Sequence, residues 1–463
     1  WSLLAMMVLL WGVSASAEES MQFDKYLGLL EGSPSLQMKL KTVEAAYYSV
    51  LSGVSVQRPQ VSVQAGASWL SGQDTAGARL QNIKVSSVAL VLGQRIDISG
   101  TFSLDERQRI LSYEIARADF CSSVNSLLSQ GEELWWSALL ARENVVLQKD
   151  VLRQRSENHR VTMEKFRQQL VPRLDIVRSE AQVVEAESWV KEAEIAYANL
   201  LQQLSFLAGG VEVVPADEEL RVPLFDLGEV DLERALATRP DVRAAHLNLE
   251  RARLIKKLMA KGKTPTLDFG LQWTPWAEPE LSTTPQKGEV GASLQLKIPI
   301  LDGNKTKYEI LNADSLVQAA EQGVLSVNDM ARRDVAVAKN NWKRAAALEQ
   351  DKKLQVERSD EELRITELMY LEGMGAQIDL INAQTANQAV RTDYINAVKE
   401  MYVALVELRR VTGDYAPTEE GTWKEALIRY GKGEHLSVRK DNRPRAEKSS
   451  HSSAPSKALR KKK

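Results

Sequence analysis

Hydrophobic and polar positions follow two different periods along this chain. After Pro265, the residues Leu267, Phe269, Leu271 and Trp273 alternate with Thr266, Asp268, Gly270, Gln272 and Thr274. After Glu289, Val290, Ala292, Leu294, Leu296, Ile298 and Ile300 alternate with Gly291, Ser293, Gln295 and Lys297. Nearer the N-terminus, Val61, Val63, Ala65, Ala67 and Trp69 alternate with Ser62, Gln64, Gly66 and Ser68. Val88, Leu90, Leu92, Ile96 and Ile98 alternate with polar or small residues that include Arg95 and Asp97. A period of two puts the apolar set on one face of a strand and the polar set on the other. It predicts four strands, at about 59–70, 85–98, 265–276 and 289–300.

Elsewhere the period is helical. From Asp302 to Tyr370 there is no proline, and apolar or small residues recur every seventh position at Ile310, Val317, Val324, Ala331, Ala338 and Ala345. A second seam runs through Ala313, Ala320 and Val327. Such a repeat is a coiled-coil signal, and alanine in the seam lets neighbouring helices approach closely. A helix of some 65 residues reaches on the order of 100 Å. A looser version appears at Leu104, Leu111, Ile115 and Ala118. The long helices are expected to break at Leu170-Val171-Pro172-Arg173 and at Gly373-Met374-Gly375. A returning helix follows each break, from Asp175 to Leu207 and from Asp379 to Val411, so each pair reads as a hairpin with a tight tip.

These elements are written twice. Pro59 corresponds to Pro265, an offset of 206 residues, and Gly100 corresponds to Gly303, an offset of 203. Phe166 with Tyr370, Asp175 with Asp379 and Gly209 with Gly413 are all offset by 204. A period this long means duplication of a whole structural unit rather than a solenoid. The expected organisation is a first repeat over 18–210, a linker over 211–230, a second repeat over 231–413 and a C-terminal extension over 414–463.

The strands are of the length of a tilted transmembrane β-strand, about ten residues. Trp69, Trp273 and Trp276 fall near strand ends, where an aromatic girdle belongs. Asp268, Gln272, Gln295, Lys297, Arg95 and Asp97 are expected on the opposite, water-filled face, where their mixed signs predict weak selectivity. A sheet in lipid tolerates no open edge, and four strands do not close a barrel. The barrel is therefore expected to be shared among protomers. Three copies give twelve strands and a wet bore, although strand count alone leaves other numbers open.

Two motifs carry a resemblance to a known family. Tyr370-Leu-Glu-Gly373 followed by Ile378-Asp-Leu-Ile-Asn-Ala-Gln384 resembles the tip motif of the TolC-type outer-membrane efflux proteins. Arg239-Pro-Asp-Val-Arg-Ala-Ala245, followed by a helix and then Pro265, is similar to the opening of that family's second repeat. The resemblance covers roughly Met21 to Gly413. It implies a mainly α protein with a membrane β-barrel portion, in which a trimer of duplicated hairpins forms a coiled-coil α-barrel beneath a twelve-stranded barrel. It further implies an outer-membrane exit duct with a large periplasmic part. The implied partners are a periplasmic adaptor, an inner-membrane pump of the RND, ABC or a similar class, and outer-membrane lipid. No cofactor is implied. Pro172, Gly373 and Gly375 mark the tips; three copies of Asp379, with Asn382 one turn on, would line the periplasmic mouth and favour cations. The helix N-terminus is the favoured role of Asp379 and Asp175, since both repeats keep the aspartate and both cannot line the mouth equally; for Asp379 the two roles are compatible. The turn residues Gly375, Ala376 and Gln377 are uncharged, which departs from relatives that hold this mouth shut with charged contacts. A periplasmic coiled-coil adaptor would share the hairpins but not the paired strands.

Composition adjusts this picture only slightly. Of 463 residues 26% are charged and 6% aromatic, as suits long solvated helices, and the net charge of −2 offers no case for nucleic acid. Cys121 excludes an intrachain disulfide and lies too far from the N-terminus to carry a lipid. His159, His246, His435 and His451 show no metal-ligand spacing, and no catalytic motif occurs, so an enzyme is not expected. Gly303-Asn304-Lys305-Thr306 resembles the end of a phosphate-binding loop but lacks its earlier glycine. The apolar run Leu3–Val13 and Ala15-Ser16-Ala17 predict a signal peptide over 1–17 whose basic start precedes Trp1. From about Gly431 the chain is rich in Ser, Lys and Arg, a composition that predicts disorder.

Overall fold

The computed structural model describes residues 21–73, 79–216, 232–277 and 286–415. The signal-peptide expectation, most of the linker and the basic extension lie outside these residues. The described elements are α1 (Phe23–Glu31), α2 (Pro34–Ser55), β1 (Gln60–Gln73), β2 (Arg79–Ile96), α3 (Thr101–Arg167), α4 (Arg173–Leu207), α5 (Leu232–Thr238), α6 (Pro240–Met259), β3 (Thr266–Ala277), β4 (Gln286–Lys297), α7 (Lys305–Leu371) and α8 (Gln377–Thr412).

The two long helices α3 and α7 are each 67 residues, about 100 Å at 1.5 Å per residue. Their ends coincide under a shift of 204 residues. Gly100 precedes α3 at φ +70° and Asn304 precedes α7 at φ +68°, a left-handed conformation open to Gly and, at small cost, to Asn. An aspartate seals each start. The Asp97 carboxylate accepts the N–H groups of Thr101 (3.0 Å) and Phe102 (2.8 Å), and Asp302 accepts that of Thr306 (3.0 Å). The phosphate-loop-like segment is thus a helix start satisfied by its own carboxylate.

At one end of the long helices, α4 lies against α3, α3 against α8, and α8 against α7. At the other end α2 and α6 take the flanking places, with α6 between α3 and α7. The predicted seam of α7 is buried at Val317, Val324, Ala331, Ala338 and Ala345. The short helices α1 and α5 dock where the flanks change over. Trp135, fully buried on α3, stacks on Tyr26 at 5.2 Å and meets Phe23 at 5.6 Å. Gly131 makes room for this docking, since a Cβ there would stand 2.3 Å from Leu30 Cδ1. Under the same shift the second repeat has Val335, which packs with Ala235, Leu408 and Val411. Glu132, almost fully buried, accepts from Arg409 Nη1 (2.9 Å), Trp136 Nε1 (3.2 Å) and the Tyr415 hydroxyl. Burial, and then the Glu132 carboxylate, push that hydroxyl well above its ordinary range.

The strands form one antiparallel sheet in the order β1-β2-β3-β4, so β2–β3 pairing joins the two repeats. β1 is paired on one side only, and so is β4. β4 stops at Lys297, two residues before Pro299, which has no N–H to offer a ladder. β2 stops at Ile96 because Asp97 turns away to seal α3. Asp97 was expected on the strand; the alternation runs on through it, but its carboxylate is committed to the helix.

Candidate functional site

Two regions hold the residues picked out by sequence, one on the sheet and one at the hairpin tips. On the sheet, cross-strand partners share a face. One face carries the rows Val61–Leu92–Leu271–Ala292, Val63–Leu90–Trp273–Val290 and Ile96–Leu267–Leu296. Val61, Val63, Val290 and Leu294 are between 61% and 70% exposed, although they are the residues that folding normally hides. The other face carries Arg95–Asp268–Gln295 and Gln272 between Val91 and Gly291. Arg95 Nε donates to Asp268 at 2.9 Å across the two repeats. Lys297 closes β4 opposite Thr266. The alternation therefore separates an apolar from a polar face, with Asp97 excluded from the strand. Trp273 belongs to an apolar row at mid-strand rather than at the strand end. The side chains of Trp69 and Trp276 lie outside the described residues.

At the tips the two turns have one backbone geometry. Gln169 (φ +60°) ends α3 and Gly373 (φ +76°) ends α7. Leu170 N–H returns to Lys165 O at 2.9 Å, and Met374 N–H to Met369 O at 2.9 Å. Pro172 and Ala376 are the residues preceding α4 and α8. The returning helices thus start at Arg173 and Gln377, two residues before Asp175 and Asp379. Neither N-terminus has a side-chain cap. Both aspartates sit in the first turn, where a negative charge is favoured by the aligned peptide dipoles. Gly375 approaches the end of α7 so closely that a Cβ would lie 3.2 Å from Met369 Cβ.

The aspartates differ in surroundings. Asp175 is partly covered and 3.9 Å from Arg178. Asp379 is exposed, with Asn382 exposed one turn on. Gln377, a neutral turn residue by sequence, is buried and ties the tips together: its Nε2 donates to Asp175 O at 3.0 Å and to Thr162 Oγ1 at 3.2 Å. Thr162 Oγ1 and Tyr370 Oη lie 3.1 Å apart, and Lys165 Nζ donates to Tyr370 O at 2.6 Å while sitting over the same ring. Beside this knot a groove of about 530 Å³ lies between the hairpins, lined by Asn158, Val161, Glu367, Tyr370 and Gln384 among others. Burial pushes the Glu367 carboxyl up.

Sequence reasoning missed a second tie. Arg155 of α3 is 1% exposed. It donates to Glu185 Oε2 (2.9 Å) and Gln182 O (3.2 Å) on α4 and to Thr385 Oγ1 (3.3 Å) on α8, and its guanidinium stacks 4.4 Å above the Trp189 ring. Nothing near Arg155 in sequence signals this, because all its partners are long-range. Among the described residues there is no group of three metal-ligating side chains and no helix long and apolar enough to cross a membrane.

Residues 232–414 match the model of the outer membrane efflux protein family. The chain is 21% identical over 410 residues to nodulation protein T of Rhizobium leguminosarum bv. viciae, covering 86% of this chain and 83% of that protein. Its fold is similar to that of a membrane protein from Pseudomonas aeruginosa (17% identity, 86% and 91% of the two chains, TM-score 0.75). It is also similar to the CmeC outer membrane channel of Campylobacter jejuni (16%, 88% and 89%, 0.74). A third likeness is to the open state of the MtrE outer membrane channel of Neisseria gonorrhoeae (20%, 84% and 88%, 0.71).

Proposed function

We propose that this chain, which belongs to the outer membrane efflux protein family, forms with two further copies a continuous passive duct through the outer membrane and into the periplasm. The observation that carries the reading is the sheet: apolar rows on one face, polar rows on the other, and an unpaired strand at each edge. Each unpaired backbone group in hydrocarbon costs several kcal/mol, so β4 of one copy must pair with β1 of the next until the wall closes. Three copies of four strands make twelve, wide enough for a water-filled bore. The helices support the same closure. Within the protomer α4 and α7 are outer members of the row α4-α3-α8-α7, and apolar side chains such as Val184, Ile195, Leu354 and Ile365 stay exposed on them.

The Arg95 and Asp268 charges offset each other on the polar face, which favours weak selection there. At the opposite end the tips form the entrance, with Asp379 and Asn382 toward the bore. The adaptor and pump of a tripartite system engage the tips, and docking loosens the Tyr370–Thr162–Gln377 knot so that the second hairpin swings away from the first. Conductance of the purified chain in planar bilayers, with the oligomer mass measured in detergent, tests the duct. Discrete cation-preferring steps from a trimer are expected. Asp379→Ala should weaken cation preference, and Tyr370→Phe with Gln377→Ala should raise mean conductance severalfold. A water-soluble protein without conductance would overturn the duct and favour a periplasmic adaptor. Unchanged conductance and selectivity in the variants would overturn the tip as the gate.

A further inference from the structure

The two repeats differ in charge where the strands meet the helices. In the second repeat, residues 254–264 and 301–311 hold Lys256, Lys257, Lys261, Lys263, Lys305 and Lys307 against Asp302 and Glu309, a net of +4. The matching stretches of the first repeat, 48–58 and 97–107, hold Arg58 and Arg107 against Asp97, Asp105 and Glu106, a net of −1. The fold gathers the two lysine-bearing stretches into one place. The turn after α6 packs on the start of α7, where a Cβ at Gly262 would lie 3.1 Å from Thr306 Oγ1, and Lys263 reaches Asp302 at 3.3 Å. Lys256 is paired with Asp314 and Lys305 stands 3.7 Å from Glu309. Lys257, Lys261 and Lys307 are exposed and make no salt bridge among the described residues.

Apolar side chains border this cluster on the strand side. Ile298 continues the apolar face of β4 past its last paired residue, and Ile300 and Leu301 are 89% and 92% exposed. Tyr308, an aromatic with a polar tip, is exposed one turn into α7. The sequence of layers is therefore an apolar sheet face, then exposed Ile and Leu, then Tyr and a cluster of ammonium groups. Aliphatic stems in hydrocarbon with charged heads at the headgroup level produce this order.

We infer that this cluster is a binding surface for the headgroups of anionic glycerophospholipid in the leaflet bordering the periplasmic helices. The inference rests on the duct reading, because it needs the apolar sheet face in lipid. Charge complementarity selects the occupant: a net of +3, once Asp314 beside Lys256 is included, next to exposed apolar groups fits a headgroup phosphate with its acyl chains, and an acidic protein surface would leave Ile300 and Leu301 uncovered. The first repeat lacks the cluster, so anionic lipid binds once per protomer rather than at every strand pair.

The test is native mass spectrometry of the full chain in its native oligomer, titrated with phosphatidylglycerol and with phosphatidylethanolamine of the same acyl chains. Each lysine near a headgroup layer is worth on the order of a fivefold change in binding. The wild type should prefer phosphatidylglycerol, Lys257→Gln/Lys261→Gln/Lys307→Gln should lose at least about tenfold of that preference, and the corresponding triple Arg variant should keep it. Equal binding of the two lipids by the wild type, or an undiminished preference in the Gln variant, overturns the proposal. So does loss of the oligomer with the preference per copy intact, which would assign the lysines to a subunit contact. Insertion into neutral bilayers is followed in parallel. A wild type that fails to insert fails the duct reading; one that inserts and conducts without lipid preference fails only this inference.

Discussion

The first and second hairpins share a backbone and differ in how side chains hold it. Both have a 67-residue helix, a left-handed residue at the turn and a shorter returning helix. In the first, the cation stands on the long helix: Arg155 is buried and binds Glu185 and Gln182 on α4 and Thr385 on α8. In the second, the corresponding level of the long helix carries a carboxylate, while Lys352 and Arg344 farther along α7 pair with Asp393 and Glu400 on α8. Asp360 on α7 accepts from Arg391 Nη2 at 2.8 Å and Asn387 Nδ2 at 2.6 Å, both on α8, and the group corresponding to Arg155 is Ser359. The first hairpin is thus fastened to its own partner and to the second hairpin. The ion pairs of the second, Arg391–Asp360, Lys352–Asp393 and Arg344–Glu400, stay within that hairpin, and none has a partner as deeply buried as Arg155. The proposed opening, in which the second hairpin swings away from the first, would draw on this difference.

Three pairs of substitutions test the comparison, in order of expected effect. The largest concerns the place where Gly131 and Val335 correspond. Val335→Gly removes a buried side chain and puts glycine in a helix, and should cost about 3 kcal/mol. Gly131→Val drives methyls into Leu30 and should cost about 1–3 kcal/mol, with α1 released to protease while the hairpins stay intact. Equal tolerance of both changes in thermal melts would mean that the repeats are packed alike. Next is Arg155. Arg155→Ala leaves Glu185 partly exposed and Thr385 without its donor, and should cost about 2–3 kcal/mol. Arg155→Met, which keeps the volume, should recover much of that stability while freeing the second hairpin, read as faster cysteine cross-linking across the tips. The smallest effects lie in the turns. Gln169→Gly relieves a left-handed non-glycine residue and should gain about 1 kcal/mol, whereas Gly373→Ala should lose a similar amount. Shifts of the same sign would show that the turns are not equivalent.

The strands and hairpins were legible in the sequence because they depend on local periodicity and on duplication. A period of two across Leu267–Trp273 and of seven across Val317–Ala345 needs no knowledge of neighbours. The break positions followed from Pro172 and Gly373, although the helices start two residues earlier than the aspartates suggested. What escaped depends on adjacency. Gln377, Arg155 and Glu132 matter because α8 lies against α3, and no local signal in α3 reports that. Asp97 misled for a related reason: its parity fits the strand, but an aspartate four residues before a helical N–H is drawn to that helix.

The unpaired edges of β1 and β4 also carry a genetic consequence. In the proposed trimer, an edge that must find a matching edge would make membrane insertion and subunit assembly one event, with no stable inserted monomer. A copy with a ruined edge, for instance through a proline in β4, would still pair on its intact side and stop the ring from closing. With normal and ruined copies made in equal amounts, roughly one trimer in eight would contain only normal chains. Defects in this strand are therefore expected to be dominant, whereas defects in the tips, which leave the ring closed, would be diluted.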